Sequence, residues 1–482
     1  VDPEKPPSID EVTMTLLGSI AYGFNPEAKR VANIGMGSGQ TTHVALGNRG
    51  IEVLDTVEIE AVMADASRMF GAAVERAHED PRSTVHIEDA KTFFSLQNSV
   101  YDIIIAEPSN PWVSGVASLF STEFYSTVKQ YLQPNGLFVQ WIQLYEFSDE
   151  LSISIMKAIN ENFSDYVIYT TDTTNILLIA KNEGQLGEPD WSALWEGELK
   201  ASLNRVSIFN DNDLNARRII RRKMLEPYLR TARAQVNSDY YPFVDLNAGE
   251  ARFRNLQAKT LVGWQSAPIP LLEMLNRSQI DFARLADTDS TLAGRSKATA
   301  YRAFGLLMSN RDSNSANGFL PQEERLRVLT EWVMLSESEC SWDGDFERWH
   351  NIVHDLSVNT LPFLNVDDAE KYVDRLFNPV CEVQQGTLAK AWYKVYRNVA
   401  NRDSFGMART GTDMLNGRED LSPREKNYLI SVAMLGHIAA GEMAEAHEIW
   451  KTHAEGFYNL DRLDAHTKLL AGIAVGSARD EK

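Results

Sequence analysis

The residues able to do chemistry in this sequence gather at four places, each where an apolar run ends. The first is Gly35-Met36-Gly37-Ser38-Gly39. A Gly-x-Gly-x-Gly turn between a strand and a helix lets the backbone approach a ligand while the first helical N–H groups point at it. A dinucleotide-binding fingerprint would place glycine at position 40, where Gln40 stands, so the turn suits a nucleoside without a pyrophosphate better. The second place is Val57-Glu58-Ile59-Glu60. Glu58 follows Gly39 by 19 residues, the spacing at which a carboxylate can accept both ribose hydroxyls. The third is Val85-His86-Ile87-Glu88-Asp89-Ala90, where Asp89 can accept the exocyclic amine of adenine, with Ala90 beside it. The fourth run, 101–106, leads into Glu107-Pro108-Ser109-Asn110-Pro111. A single acidic residue after a strand is more often a helix cap than a ligand contact. Four such ends, all on the carboxyl edge of an open sheet, read together as a nucleoside site.

The elements that must position these residues follow from the hydrophobic pattern. Residues 10–23 read as an amphipathic helix with Met14, Leu17 and Ile20 on one face, broken by Asn25-Pro26. Apolar runs at 30–35, 52–59, 83–87, 102–106, 136–141, 166–170 and 175–181 are separated by helix-sized stretches. That alternation predicts βαβ units and a mostly parallel sheet, the last two runs closing as an antiparallel hairpin about 171–174. Residues 184–266 are mixed. Their basic clusters Arg217-Arg218 and Arg221-Arg222-Lys223 could touch an acidic partner or lipid headgroups, but read more simply as a solvated helix face. From 267 onward helix follows helix, and 389–415 aligns with 428–450 at an offset of about 40. A third, weaker copy is placed at 301–312. Both a tetratricopeptide-like solenoid and an irregular helical bundle fit this pattern. The expected domains are therefore an N-terminal helix (1–25), a nucleoside-binding domain (26–183), a mixed extension (184–266) and an all-α domain (267–482), the last expected to engage a protein partner.

Composition narrows the function classes. A chain of 482 residues has room for two to four domains. Its 47 Lys and Arg against 67 Asp and Glu give a net charge of −20, which repels phosphate backbones, so nucleic acid is not an expected partner. Two cysteines, Cys340 and Cys381, make no disulfide framework and fit a reducing compartment. No apolar stretch reaches the ~18 residues of a membrane span, and the polar start Val1-Asp2-Pro3-Glu4-Lys5 is not a signal peptide. The missing initiator Met points to a processed chain or to part of a longer one. No residue cluster has metal-ligand spacing, so no metal is expected; there is also no Gly-x-Ser-x-Gly elbow and no Gly-Lys-Ser/Thr phosphate loop.

Residues 25–143 resemble the spermidine synthase (polyamine aminopropyltransferase) family, a branch of the class I S-adenosylmethionine methyltransferase fold with its Rossmann-like α/β sheet. The motifs that carry the resemblance are the glycine turn, Val57-Glu58-Ile59-Glu60, Glu88-Asp89-Ala90 and the block 101–120, joined downstream by Asn237-Ser238-Asp239. Glu107-Pro108-Ser109-Asn110-Pro111-Trp112 and Phe138-Val139-Gln140-Trp141-Ile142-Gln143-Leu144-Tyr145 are similar to a bacterial subgroup often fused behind membrane segments. The resemblance implies a cytoplasmic enzyme, at the inner membrane face where the parent chain carries such a segment. Its co-substrate would be decarboxylated S-adenosylmethionine or S-adenosylmethionine, and its acceptor a small amine. Gly35, Gly37, Ser38, Gly39, Glu58, Asp89 and Ala90 would hold the nucleoside co-substrate. Glu107, where the family has an aspartate, would take the acceptor's proton. Asn110, Gln140 and Gln143 would face the second substrate. The departures fall on cation contacts: Ser38 and Asn110 each stand where the family has an aspartate, and Val236 where it has a tyrosine. Three readings follow: aminopropyl transfer, methyl transfer from intact S-adenosylmethionine, and a non-catalytic nucleoside-binding scaffold. Trp112 and Trp141 read as an aromatic wall for a cation or as core packing, and His43 as a bystander.

Overall fold

The computed structural model describes residues 5–96, 99–286, 289–309, 323–339, 345–378, 381–454 and 463–480. The chain divides into two compact units, Val1–Val262 and Gly263–Lys482. In the first unit the apolar runs become strands β1 (Arg30–Ile34), β2 (Val53–Glu58), β3 (Ser83–Ile87), β4 (Tyr101–Ala106), β5 (Leu132–Gln143), β6 (Asp165–Thr170), β7 (Asn175–Lys181) and β8 (Arg218–Arg221). They form one sheet in the order β3-β2-β1-β4-β5-β7-β6-β8. The first five are parallel. The pairs β5–β7, β6–β7 and β6–β8 are antiparallel, so the expected hairpin is present. This is a Rossmann-like α/β sheet, five parallel strands continued by an antiparallel edge. The chain runs outward from β1 through β2 to β3, then returns to place β4 on β1's other side. The carboxyl ends of β1 and β4 thus flank the crevice where such sheets bind ligands.

Helix α1 (Ile9–Ser19) starts at Ser8, whose hydroxyl accepts the Glu11 N–H at 3.2 Å, and is extended by a 3₁₀ turn at Ile20–Gly23. Its face of Val12, Leu16, Leu17 and Ile20 is buried in one core with Val31, Val44, Ile103 and Val139. Removing a leucine-sized side chain from water contributes about 1.5–3 kcal/mol, so Leu16 and Leu17, both buried, anchor α1 across the sheet. Helix α2 (Gln40–Ala45) follows the glycine turn. On the sheet's other face, helices running Thr122–Gln130 (α3) and Asp149–Asn162 (α4) cover an aromatic core in which Phe138 and Phe163 stack at 5.4 Å and Tyr125 meets Phe138 edge-on.

The basic cluster 217–223 is not a solvated helix face. Arg218–Arg221 is strand β8, and Arg217 and Arg218 are buried. Arg218 and Arg221 both pair with Glu188 at 2.9 Å, and Arg222 donates to the Phe163 carbonyl at 3.0 Å. Arg217 and Arg218 are thus taken into the fold, while Lys223, in the helix Arg222–Thr231, stays exposed.

The second unit is helical. Thr387–Ala400 turns through Arg402 (φ 52°) into Ser404–Asn416, and Pro423–Ala440 turns through Gly441 (φ 85°) into Met443–His453. Gly411 and Gly436 let Ser404–Asn416 and Pro423–Ala440 approach closely: a Cβ on Gly436 would lie 2.3 Å from the Ala408 nitrogen. The turn of the third expected copy, 310–312, lies outside the described residues. Cys381 is disulfide-bonded, so the cysteine pattern does not argue for a reducing compartment; Cys340 lies outside the described residues. Among the described residues no helix is long and apolar enough to cross a membrane.

Gly35 is the tightest point of the sheet's carboxyl edge. Its φ is +91°, and a Cβ there would lie 2.3 Å from the Glu107 carbonyl oxygen. Gly37, at φ +49°, has nothing within 4 Å of its would-be Cβ. In urea unfolding, Gly35→Ala is expected to cost at least ~2 kcal/mol, because clash and backbone strain add. Gly37→Ala should cost only about 1 kcal/mol of backbone strain. Equal losses would show that the close approach is not the constraint.

Candidate functional site

The glycine turn is held from below. Asn33, fully buried on β1, donates to the Gly35 carbonyl at 2.9 Å and to the Thr42 hydroxyl at 3.1 Å, and Thr42 meets Thr56 of β2 at 2.8 Å. These bonds fix β1, α2 and β2 around the turn, which Gly39 closes in the left-handed region as the cap of α2. Glu58 ends β2 almost fully buried, one carboxylate oxygen accepting the Met36 N–H at 2.9 Å and the other the Glu60 N–H at 2.9 Å. Those two amides fix the carboxylate beside the turn. An ionised carboxylate has about four lone-pair sites, so two stay open to ligand hydroxyls.

Asp89 caps the helix Ala90–Leu96: its Oδ1 accepts the Thr92 N–H at 2.9 Å, and Ala90 is buried behind it. Its other oxygen makes no hydrogen bond among the described residues, so capping and ligand contact are compatible at this side chain. Glu107 continues β4, its N–H donating to the Ile34 carbonyl at 2.8 Å. One carboxylate oxygen of Glu107 is shut away from solvent without a partner. Burial pushes the Glu107 carboxyl up to about 7, against a downward pull from a Thr41 side-chain hydrogen bond; the Asp10 charge adds a smaller upward push.

Asn110 donates to Gln143 and, at 3.0 Å, to the Tyr145 hydroxyl, while the Gln143 amide donates to the Tyr145 carbonyl at 3.1 Å. These three residues form one hydrogen-bonded polar wall where the loop after β4 meets the end of β5. Gln140 does not join it. Its Oε1 accepts the Tyr125 hydroxyl at 2.7 Å and its amide donates to the Leu119 carbonyl at 3.2 Å, in the core on the α3 side. Two residues three apart on a strand point to opposite faces, so Gln140 and Gln143 could not both face one ligand. Trp112 and Trp141 do not make a shared wall. Trp112 meets the Tyr145 ring edge-on at 6.5 Å and carries the Arg252 guanidinium 5.0 Å above it. Trp141 donates to Asn175 at 2.9 Å and packs against the core beneath α1. His43 receives the Arg76 backbone N–H at 3.2 Å, and burial pushes it down to about 4, the behaviour of a structural histidine.

Residues outside the sequence-predicted set complete the site. Met14 lies on α1 with its sulfur 3.1 Å from the Ser38 hydroxyl, and Gln40 donates to the Glu11 carbonyl at 3.4 Å and the Thr15 hydroxyl at 3.2 Å. The N-terminal helix is therefore part of the wall of the site. Helical periodicity places Met14 on the buried side of α1; only the packing shows that this side meets the glycine turn. Asn237 clasps the loop after Glu107, donating to the Phe120 carbonyl at 2.9 Å and accepting the Val244 N–H at 3.0 Å, while its own carbonyl accepts the Thr122 N–H at 3.0 Å. In the motif Asn237-Ser238-Asp239, the asparagine thus acts on loop geometry. Among the described residues no group of His, Cys, Asp and Glu could hold a metal ion.

A family model described as the spermine/spermidine synthase domain matches residues 12–179. The polyamine aminopropyltransferase of Caldicellulosiruptor saccharolyticus is 28% identical over 148 residues, 31% of this chain and 53% of that protein. That of Alkaliphilus metalliredigens is 32% identical over 120 residues, 25% of this chain and 42% of that protein. The chain thus spans about half the length of the curated relatives it matches. A crystal structure of spermidine synthase with the transition-state analogue AdoDATO superposes with a TM-score of 0.33 at 15% identity, covering 51% of this chain and 76% of that one. The family match lies wholly in the N-terminal part of this chain, which is similar there to the spermine/spermidine synthase domain.

Proposed function

We propose that the N-terminal domain is a transferase moving an aminopropyl group from decarboxylated S-adenosylmethionine to an amine acceptor. The observation that carries this reading is Glu107: a carboxylate at the β1–β4 crevice with one buried, unpartnered oxygen and an affinity for protons matched to neutral pH. Gly37 leaves the backbone open to the nucleoside, with Gly35 and Gly39 shaping the turn on either side of it; Glu58 takes the ribose hydroxyls, and Asp89 takes the base. The acceptor nitrogen, neutral and oriented by Glu107, attacks the carbon next to the sulfonium. The C–N bond forms as the C–S bond breaks, and the sulfur keeps that electron pair and leaves as the neutral thioether methylthioadenosine. The nitrogen's surplus proton passes to Glu107. Holding nucleophile, carbon and leaving sulfur in line is the larger part of such catalysis, and the rigid ends of β1 and β4 serve that alignment.

A second reading, methyl transfer from intact S-adenosylmethionine, is favoured by Ser38. Its hydroxyl lies on the Met14 sulfur and brings no negative charge to oppose a methionine carboxylate. Calorimetry with methylthioadenosine, decarboxylated S-adenosylmethionine and S-adenosylmethionine separates the readings, the preferred sulfonium naming the reaction. Failure of all three to bind would remove both.

Two outcomes are expected at individual residues. Glu58→Ala and Asp89→Ala should each weaken methylthioadenosine binding by about 10- to 100-fold, the value of one or two hydrogen bonds to a charged group. Glu107→Gln should bind methylthioadenosine within about threefold of the parent yet lose turnover by at least ~1,000-fold. Because Glu107 works deprotonated and burial raises its pKa to about 7, kcat/KM should fall as pH drops through 7. An acid limb near the ordinary carboxylate value, or retained turnover in Glu107→Gln, would take that residue out of the mechanism.

A further inference from the structure

Two of the loop positions that would carry aspartates are Ser38 and Asn110, so the crevice beside Glu107 has lost acid from its loops. The structure brings an acid back from another element. Helix α1 crosses the glycine turn through Met14 on Ser38, through Gln40 on Thr15 and the Glu11 carbonyl, and through Gly18, where a Cβ would lie 2.6 Å from the Thr41 carbonyl. Asp10 lies four residues before Met14, one turn away on the same face of α1. It is exposed, and its charge reaches both Glu107 and the Tyr145 hydroxyl, the two groups that bound the crevice on the acceptor side.

The neighbouring acids are otherwise engaged. Glu11 pairs with Arg205 at 3.0 Å, Glu146 pairs with Arg252 at 3.6 Å, and Asp172 is buried among Thr171, Thr174 and Asn175. Asp10 makes no ion pair among the described residues. Around the glycine turn and Glu107, which the Asp10 charge reaches, lie buried oxygens without hydrogen-bond partners: the Glu107 Oε2 and the Gln40 Oε1. Two carboxylates and a further unfilled acceptor, with no cation paired to them among the described residues, call for a ligand that brings donors at two points.

Resting on the transferase reading above, we propose that Asp10 binds the second ammonium of a diamine-type acceptor. Its first nitrogen lies at Glu107, so the N-terminal helix sets acceptor selectivity in place of the loop. Asp10 is then a specificity residue and takes no part in the bond exchange.

The test uses the full chain, with 1,4-diaminobutane and n-butylamine as acceptors at about pH 8.5, where Glu107 is ionised. In Asp10→Asn, the preference for diamine over monoamine in kcat/KM should fall at least ~10-fold, chiefly through KM, and Asp10→Glu should restore part of it. Calorimetric titration of the diamine into the methylthioadenosine complex should show the same loss without need of turnover. An unchanged preference, or an equal loss for both amines, would overturn the assignment and leave α1 a structural wall. Asp10-dependent diamine binding without turnover would instead overturn the transfer reading while this assignment stands.

Discussion

The geometry of the candidate site depends on one close approach, the ends of β1 and β4 pressed together until Gly35 touches the backbone of Glu107. The Glu107 N–H bonds to the Ile34 carbonyl, and the Gly35 N–H bonds to the Val57 carbonyl. Three strand ends are thereby fixed to one another through main-chain atoms, which no side-chain rotamer can loosen. Glu58 inherits its position from the same junction by accepting the Met36 N–H. A residue with a Cβ at position 35 would push β4 outward and move Glu107 away from Thr41. The shape of the crevice is a backbone property first, and the carboxylates are set into it.

The sequence disclosed this junction well, because the forces that make it are local. Val- and Ile-rich runs bury both faces of a central strand, and glycines mark the places where only a hydrogen atom fits. Seven strands follow from that pattern. The eighth was hidden by its charges. In Arg218–Arg221 the arginines look like surface, and their partner Glu188 stands about thirty residues away, so only the folded chain shows that the charges are neutralised at the sheet's edge. Gln140 was misleading for another reason. Its amide resembles a ligand contact, but strand alternation commits it to Tyr125 on the far side of the sheet.

Helix α1 shows the limit of reading segments one at a time. Its apolar stripe announces a helix with a buried face, and the stripe does not say which surface it covers. The core beneath α1 joins residues of β1, β4 and β5, and that docking carries Met14 to the glycine turn, with Asp10 one helical turn away. Acidic side chains on a helix are ordinarily solvated surface. This one gains meaning from the two groups its charge reaches. The same reasoning separates the two tryptophans, whose identical chemistry is directed by opposite packing: Trp112 under Arg252, Trp141 into the core.

The clasp of Asn237 on Phe120 bears on how the protein assembles during synthesis. The two residues are 117 positions apart, so the loop that follows Glu107 is pinned only after a long stretch of later chain has been made and brought back. Strand β8 and the antiparallel bridge between Tyr145 and Gln257 impose the same delay. A nascent chain cut off near residue 180 would hold the glycine turn, Glu58 and Glu107, yet lack the contacts that fix the rim of the crevice. Closing so long a loop is entropically slow. A growing chain therefore acquires the parts of the nucleoside cradle early, and the finished acceptor wall only near the end of the first unit.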